Sequence, residues 1–223
     1  MPIETLNPRH ACDVNAVADL HLQFLSDSPI VGLGERFLRR FFYVRLVEDG
    51  SVVVTICRHE GRIIGYISYT PDPFGFMSRG IRRHFVYLCS LMVVSLAAKP
   101  GLLKGILLAL KMVRERGGQA RQAEPGLGEV ISLVTLPEFQ KHVAEGGKSR
   151  LTVRLFEEML SYFRGLQYER VHLLVLPHNR ASNILCSIMG CQFEKITLVG
   201  VVTHRYTYFL NRKPEAATAS TPA

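Results

Sequence analysis

The second half of this 223-residue chain alternates short apolar runs with one long amphipathic run, and this alternation constrains its fold more than any other feature. The runs EVISLVTL and RVHLLVL are rich in Val, Leu and Ile, which is typical of buried strands. Between them, residues 150–166 place six apolar side chains at helical spacing, namely Leu151, Leu155, Phe156, Met159, Leu160 and Phe163. Strands that alternate with an amphipathic helix predict an α/β fold.

The first half adds helices and a hairpin to this pattern. Apolar periodicity predicts helices over about 12–25 and 35–47, after a short strand PIETL. Residues 51–70 predict a hairpin that turns at HEGR, and FEKIT with VVTHRYTYFL predicts a closing hairpin. The sequence contains no repeat and no second core pattern, so we predict one domain over 1–211 followed by a disordered tail, 212–223.

The positive charge of the chain is local. The 27 Lys and Arg residues exceed the 19 Asp and Glu residues by eight. Residues 76–123 hold nine of the basic residues and one acid, Glu115, so the remainder is balanced. The same stretch contains the most apolar run, 85–98, which is shorter than the roughly 20 residues of a membrane-spanning helix. The shortness of this run predicts a soluble protein. The pattern of the stretch predicts two apolar helices edged by cations, over about 80–98 and 102–116.

The cysteines and the N-terminus indicate the compartment. Five cysteines are an odd number, they form no CxxC motif, and they lack metal-ligand spacing with histidines. Free thiols are typical of a reducing compartment. The N-terminus lacks the charged lead and apolar core of a signal peptide. We therefore predict a cytoplasmic protein without a metal site.

Two segments resemble the GNAT superfamily of acyl-CoA-dependent N-acetyltransferases. ISLVTLPEFQKHVAEGGKSRLTVRLFEEML resembles that family's strand, phosphate loop and helix, and VHLLVLPHNRASNILCSIMGCQF resembles its next strand and its N-x-x-A/S-x-x-x-Y-x-x-x-G-F helix. The resemblance covers roughly 1–75 and 126–211. It implies a mixed sheet of six to seven strands flanked by helices, a helical insertion over 76–123, and acetyl-CoA as co-substrate.

The resemblance also implies where CoA binds. In the family two parallel strands splay apart, and pantetheine bonds along the first of them, here at Leu133, Val134 and Thr135. The phosphates bind where a loop enters the following helix, because free N–H groups and the helix dipole attract anions there. The residues aligned with this loop and with contacts of the next helix are Gly146, Gly147, Lys148, Ser149, Arg150, Leu151, Thr152, Asn179 and Ser182. A simple turn at Gly146-Gly147 and a helix cap at Asn179 are the structural alternatives.

Two residues are candidates for acid–base catalysis. Glu129 begins the first strand and is the best candidate for taking a proton from the acceptor amine, directly or through water. Cys186 stands where the family has the Tyr that protonates the leaving CoA thiolate. A solvated carboxylate and a small buried side chain are the respective structural alternatives. Tyr206 and Tyr208 are further candidate proton donors.

The function implied by the resemblance is acetyl transfer from acetyl-CoA to a primary amine of a small molecule or protein. Two alternatives stay open: a non-catalytic acyl-CoA-binding regulatory module, and a basic protein that binds a membrane surface or nucleic acid through 76–123. The sparse aromatic residues of that stretch, Phe76, Phe85 and Tyr87, weigh against nucleic acid. The insertion is compatible with a cap over the acceptor site, a homodimer face, contact with an anionic membrane, or a packed helical hairpin.

Overall fold

One seven-stranded mixed sheet organises the computed structural model, which describes residues 1–119, 126–139, 150–198 and 200–211. The strands are β1 (Ile3–Thr5), β2 (Val53–His59), β3 (Arg62–Thr70), β4 (Leu127–Thr135), β5 (Arg170–Val175), β6 (Gln192–Leu198) and β7 (Val201–Phe209). Their order in the sheet is β1-β2-β3-β4-β5-β7-β6. The β4–β5 pair is parallel and the other described pairs are antiparallel. This confirms the predicted α/β fold with a mixed sheet.

Seven helices flank the sheet in the described residues. They are α1 (Ala11–Phe24), α2 (Phe37–Arg45, wound as a π-helix, with a last turn at Leu46–Glu48), α3 (Phe76–Arg83), α4 (Phe85–Ala98), α5 (Leu102–Gln119), α6 (Leu151–Gly165) and α7 (Arg180–Ile188). The six apolar residues predicted to form one face of α6 are all buried. The predicted tail, 212–223, lies outside the described residues.

The stretch 76–123 contains three described helices where the sequence predicted two. α3 and α4 meet at His84 with axes bent by 90°. Asp49 is an acidic residue at the end of α2, and one of its carboxylate oxygens lies 2.7 Å from the His84 imidazole. Because this partner is distant in sequence, the apolar periodicity of the stretch did not reveal the break.

The helices cover opposite faces of the sheet. Tyr66 of β3 hydrogen-bonds Tyr43 of α2, so α1 and α2 lie on the face to which Tyr66 points. Side chains alternate along a strand, so Tyr69, three residues after Tyr66, points to the other face. There it packs against Phe163 of α6. Tyr208 of β7 also packs against α6, so the alternate residues of β7 point to that face. The core therefore has two layers, one on each side of β3 and β4.

The helices of the stretch 76–123 pack on the α2 side of the molecule. Gly80 of α3 lies against Leu46 of α2, and Arg45 lies over the Tyr87 ring of α4 at 5.0 Å. The carbonyl of Gly32, in the loop between α1 and α2, approaches Gly105 of α5 so closely that a Cβ there would lie 2.0 Å from it. No single described helix is long and apolar enough to cross a membrane; α3 and α4 meet that test only as a bent pair.

Candidate active site

The parallel strands β4 and β5 diverge part-way along the sheet. Four residue pairs join them, and the last of these pairs Val130 with Leu173. In the described part of the chain the pairing ends there, although β4 continues to Thr135 and β5 to Val175. The carboxyl-terminal halves of the two strands therefore border a gap in the sheet.

A β-bulge in β4 accounts for this divergence. Against β3, Val130 lies opposite Tyr69 and Ser132 lies opposite Ser68, so Ile131 is an extra residue in β4. An extra residue bends its strand and increases the local twist. Because the bulge immediately follows the last pair with β5, it turns the rest of β4 away from β5.

The three residues predicted to contact pantetheine lie in the diverged part of β4. Leu133, Val134 and Thr135 pair with β3 along one edge. In an antiparallel ladder, alternate residues direct their N–H and C=O groups to the opposite edge, which here borders the gap. That edge has the geometry needed to bind an extended chain.

The N-terminus of α6 lies beside the end of β4. The Oγ1 atoms of Thr135 and Thr152 are 3.1 Å apart. Arg150 precedes the helix in an extended conformation, and its side chain makes no capping hydrogen bond to the described residues. The first turn of α6 contains no acidic residue. Such a helix end favours a bound anion. Leu151 is buried and anchors the helix; Gly146, Gly147, Lys148 and Ser149 lie outside the described residues.

The two residues predicted to bind CoA from α7 bond to each other. The Asn179 side-chain oxygen accepts a hydrogen bond from the Ser182 backbone N–H at 3.1 Å, so Asn179 caps α7. The capping interpretation of Asn179 is thus confirmed. It fixes the start of α7 at the end of β5, on the border of the gap.

Asn183 links the end of β5, the start of α7 and strand β7 through hydrogen bonds, although the sequence pattern did not identify it as a candidate residue. Its side-chain amide donates to the carbonyls of Asn179 (2.7 Å) and Leu176 (3.3 Å). Its oxygen accepts from the Tyr206 hydroxyl at 2.9 Å and lies 2.9 Å from His204 Nδ1. The second Asn in NRASN was a signal, but its partners in β7 follow only from the register of the sheet.

Cys186 is the buried residue of α7 and is enclosed in the core. Its side chain has no exposed surface, and it forms a hydrogen bond with Cys191. That hydrogen bond and burial raise the pKa of the Cys186 thiol far above its usual value. The geometry favours the structural alternative for Cys186 over the role of proton donor.

Glu129 is buried on the face of the sheet opposite α6. The preceding residue, Gly128, faces α6, where a Cβ would lie 2.3 Å from the Phe163 ring. Successive side chains of a strand alternate, so Glu129 points to the side of α1 and α2. It lies opposite His172 of β5, one position before the last β4–β5 pair. The Glu129 side chain is therefore next to the start of the gap.

A chain of buried polar groups lies on the same face. His21 Nδ1 is 2.6 Å from the Tyr43 hydroxyl, which donates to the Tyr66 hydroxyl at 3.1 Å. Tyr66 also hydrogen-bonds Ser132, whose Oγ is 2.5 Å from that of Ser68. Burial lowers the pKa of His21 to about 4, so the imidazole is neutral at pH 7. This series of polar groups passes through Ser132, directly after the bulge, and ends at Ser68.

Charged groups occur at the rim of the gap rather than within a metal-binding cluster. His178, which follows β5, lies 3.5 Å from an Asp27 carboxylate oxygen in the loop after α1. This contact brings the α1–α2 loop to the carboxyl end of β5. Among the described residues, no group of three or more His, Cys, Asp or Glu side chains is arranged to hold a metal ion.

Neither a protein-family model nor a curated protein matches the chain, but solved structures do. Arabidopsis thaliana NAA60 in complex with a bisubstrate analogue has a TM-score of 0.54 at 14% identity, over 93% of this chain and 97% of that chain. Aminoglycoside 6'-N-acetyltransferase complexed with coenzyme A has a TM-score of 0.55 at 8% identity, over 96% and 100%. A putative GNAT-family acetyltransferase from Desulfovibrio desulfuricans has a TM-score of 0.55 at 10% identity, over 94% and 98%. This chain therefore has the fold of the GNAT acetyltransferases.

Proposed function

We propose that the chain is an acetyl-CoA-dependent N-acetyltransferase that acts on a primary amine of a small molecule or protein. The observation that carries the proposal is the divergence of β4 and β5 beside the N-terminus of α6. This arrangement offers an extended edge for a pantetheine arm and a positive helix end for a pyrophosphate, which are parts of one molecule. The shared fold with acetyltransferases bound to CoA and acetyl-CoA supports the proposal.

The residues of the chain have distinct parts in the proposed reaction, for which acetyl-CoA supplies the thioester. A backbone N–H on the gap-facing edge of β4 donates a hydrogen bond to the thioester oxygen and stabilises the negative charge that develops there. Glu129 accepts the proton of the amine as it attacks from the side of α1 and α2. The buried hydroxyls of Ser132 and Tyr66 hold this part of β4 in place beneath the amine.

The leaving thiolate does not require Cys186 as a proton donor. Proton transfer is unfavourable when the pKa of the donor is higher than the pKa of the conjugate acid that the transfer forms, here the thiol of CoA. The pKa of Cys186 is raised above that of an ordinary thiol, which is about 8.5. A thiolate of ordinary pKa is a competent leaving group, so we propose that it departs and takes its proton from solvent.

Calorimetric titration with acetyl-CoA, followed by thiol release across a panel of primary amines, tests the function. We expect saturable binding and amine-dependent release of CoA. Absence of saturable binding would contradict the whole proposal. Binding without release for any amine would instead support the non-catalytic acyl-CoA-binding module, because the gap would then hold the ligand without a reaction.

Replacing Cys186 by Ala separates its packing role from a catalytic one. We expect an unchanged kcat and a loss of about 1–2 kcal/mol in the free energy of unfolding, because a buried group and a hydrogen bond are removed. Cys191→Ala is the matched control, since it removes the same hydrogen bond from the other side. A fall in kcat of about 10²-fold in Cys186→Ala alone would establish Cys186 as the acid after all.

A further inference from the structure

The outward face of α4 is an uncharged apolar stripe. From Phe85 to Ala98 the helix contains no charged residue. Val86 is 81% exposed and Val93, two turns further along the same side, is 66% exposed. A contiguous apolar surface of this kind is uncommon on a monomeric protein and marks a surface that contacts something else.

The inward face of α4 is already occupied by the protein. Leu91 and Ser95 are buried, and the ring of Tyr87 lies against Arg45 of α2. The helix is therefore held against the domain, and only its outward stripe is available to a partner.

The outward face of α5 alternates leucines with cations. Leu107 is 59% exposed, and Leu103 and Leu110 lie on the same side. The exposed Lys104 and Lys111 border them. A helix with exposed leucines between lysines is typical of one that lies in the interface of a bilayer.

Most of the described cations around this surface form no ion pair with an acid in the described part of the chain. Arg79 and Arg83 are paired with Asp72 and Asp49 respectively. By contrast, no ion pair is formed within that part of the chain by the exposed residues Arg82, Lys99, Lys104, Lys111 and Arg114. These cations edge the apolar stripe, so the surface is complementary to a partner that is both apolar and negatively charged.

We propose that the outward faces of α4 and α5 bind the surface of an anionic lipid bilayer. The apolar side chains of both helices enter the boundary between headgroups and acyl chains, and the unpaired cations contact the anionic headgroups. A second copy of the chain fits this surface less well, because it would bring the same unpaired cations together. The proposal is independent of the acetyltransferase function, since it uses none of the residues of the gap.

Co-sedimentation of the full chain with phosphatidylcholine vesicles, with and without phosphatidylserine, tests this inference. We expect binding to the anionic vesicles that weakens with added salt. Removing two cations by Lys104→Gln with Lys111→Gln should lower the partition coefficient by about fivefold for each lysine. Introducing two acids by Val86→Glu with Val93→Glu should lower it by at least about tenfold.

The matched control is Ile184→Glu with Ile188→Glu on α7, where the two side chains are 60% and 67% exposed. This pair adds the same charge at an apolar surface remote in sequence and should leave vesicle binding unchanged. Retained acetyl-CoA binding and unchanged thermal unfolding establish that each variant is folded. Failure of the unmodified chain to bind anionic vesicles would overturn the proposal, as would an equal loss in the α7 control. A dimer in sedimentation velocity that Val86→Glu with Val93→Glu dissociates, without vesicle binding, would assign the surface to a second copy instead.

Discussion

Glu129→Gln should lower kcat by about 10²–10³-fold while leaving acetyl-CoA binding unchanged. The amide is nearly isosteric with the carboxylate but cannot accept the proton that the amine loses on attack. The position of Glu129 on the face opposite α6 separates it from the proposed CoA path, so the loss should affect kcat rather than the affinity for acetyl-CoA. Steady-state kinetics, with calorimetry for acetyl-CoA, measure the two quantities.

The pH profile distinguishes a base from a structural carboxylate. Without the base, activity should recover as pH rises, because a growing fraction of the amine is already deprotonated. Glu158→Gln on the exposed side of α6 is the matched control and should behave as the unmodified chain. If Glu129→Gln retained kcat, or lost acetyl-CoA binding and activity together, the role as base would be wrong.

The second large effect concerns stability at acid pH. His21 has a pKa of about 4 in the folded chain and an ordinary value of 6.5 when unfolded. Between these two pH values the unfolded chain binds more protons than the folded chain does. His21 therefore leaves the free energy of unfolding undiminished above pH 6.5 and lowers it as the pH decreases towards 4. The two pKa values imply a loss of about 3 kcal/mol, because the buried imidazole must either stay neutral or charge without solvent.

Urea unfolding at pH 7, 6, 5 and 4 measures this contribution. Carboxylates elsewhere also titrate in this range, so the comparison is with His21→Gln, which keeps a polar group beside Tyr43 but does not titrate. The stability of the unmodified chain relative to this variant should decrease by about 3 kcal/mol from pH 7 to pH 4. A difference that stays constant with pH would show that His21 does not charge in this range, and the burial argument would fail.

Elements whose determinants are local were predictable. The apolar face of α6 follows from side chains three and four residues apart, and each of them is buried as predicted. The end of α7 follows from Gly190, whose φ of 73° suits a residue without a side chain. The cap at Asn179 likewise depends on a residue only three positions away.

Features that depend on distant partners were not predictable in the same way. The break at His84 rests on Asp49, an acid 35 positions earlier in the chain. The stretch of β4 around Ile131 reads as an ordinary apolar strand, and nothing in its composition marks a bulge. Only pairing with β3 identifies Ile131 as the extra residue.

The candidate site shows the same division. Residue spacing specified a strand, a helix and a second strand, because helical and extended periodicities are set by near neighbours. The gap that makes these elements a site arises where β4 carries an extra residue against β3 and its pairing with β5 ends. The outward faces of α4 and α5 are likewise defined only because α2 covers the other side of α4 and the α1–α2 loop covers the other side of α5. Both depend on contacts between segments far apart in the chain, which a periodic pattern does not encode.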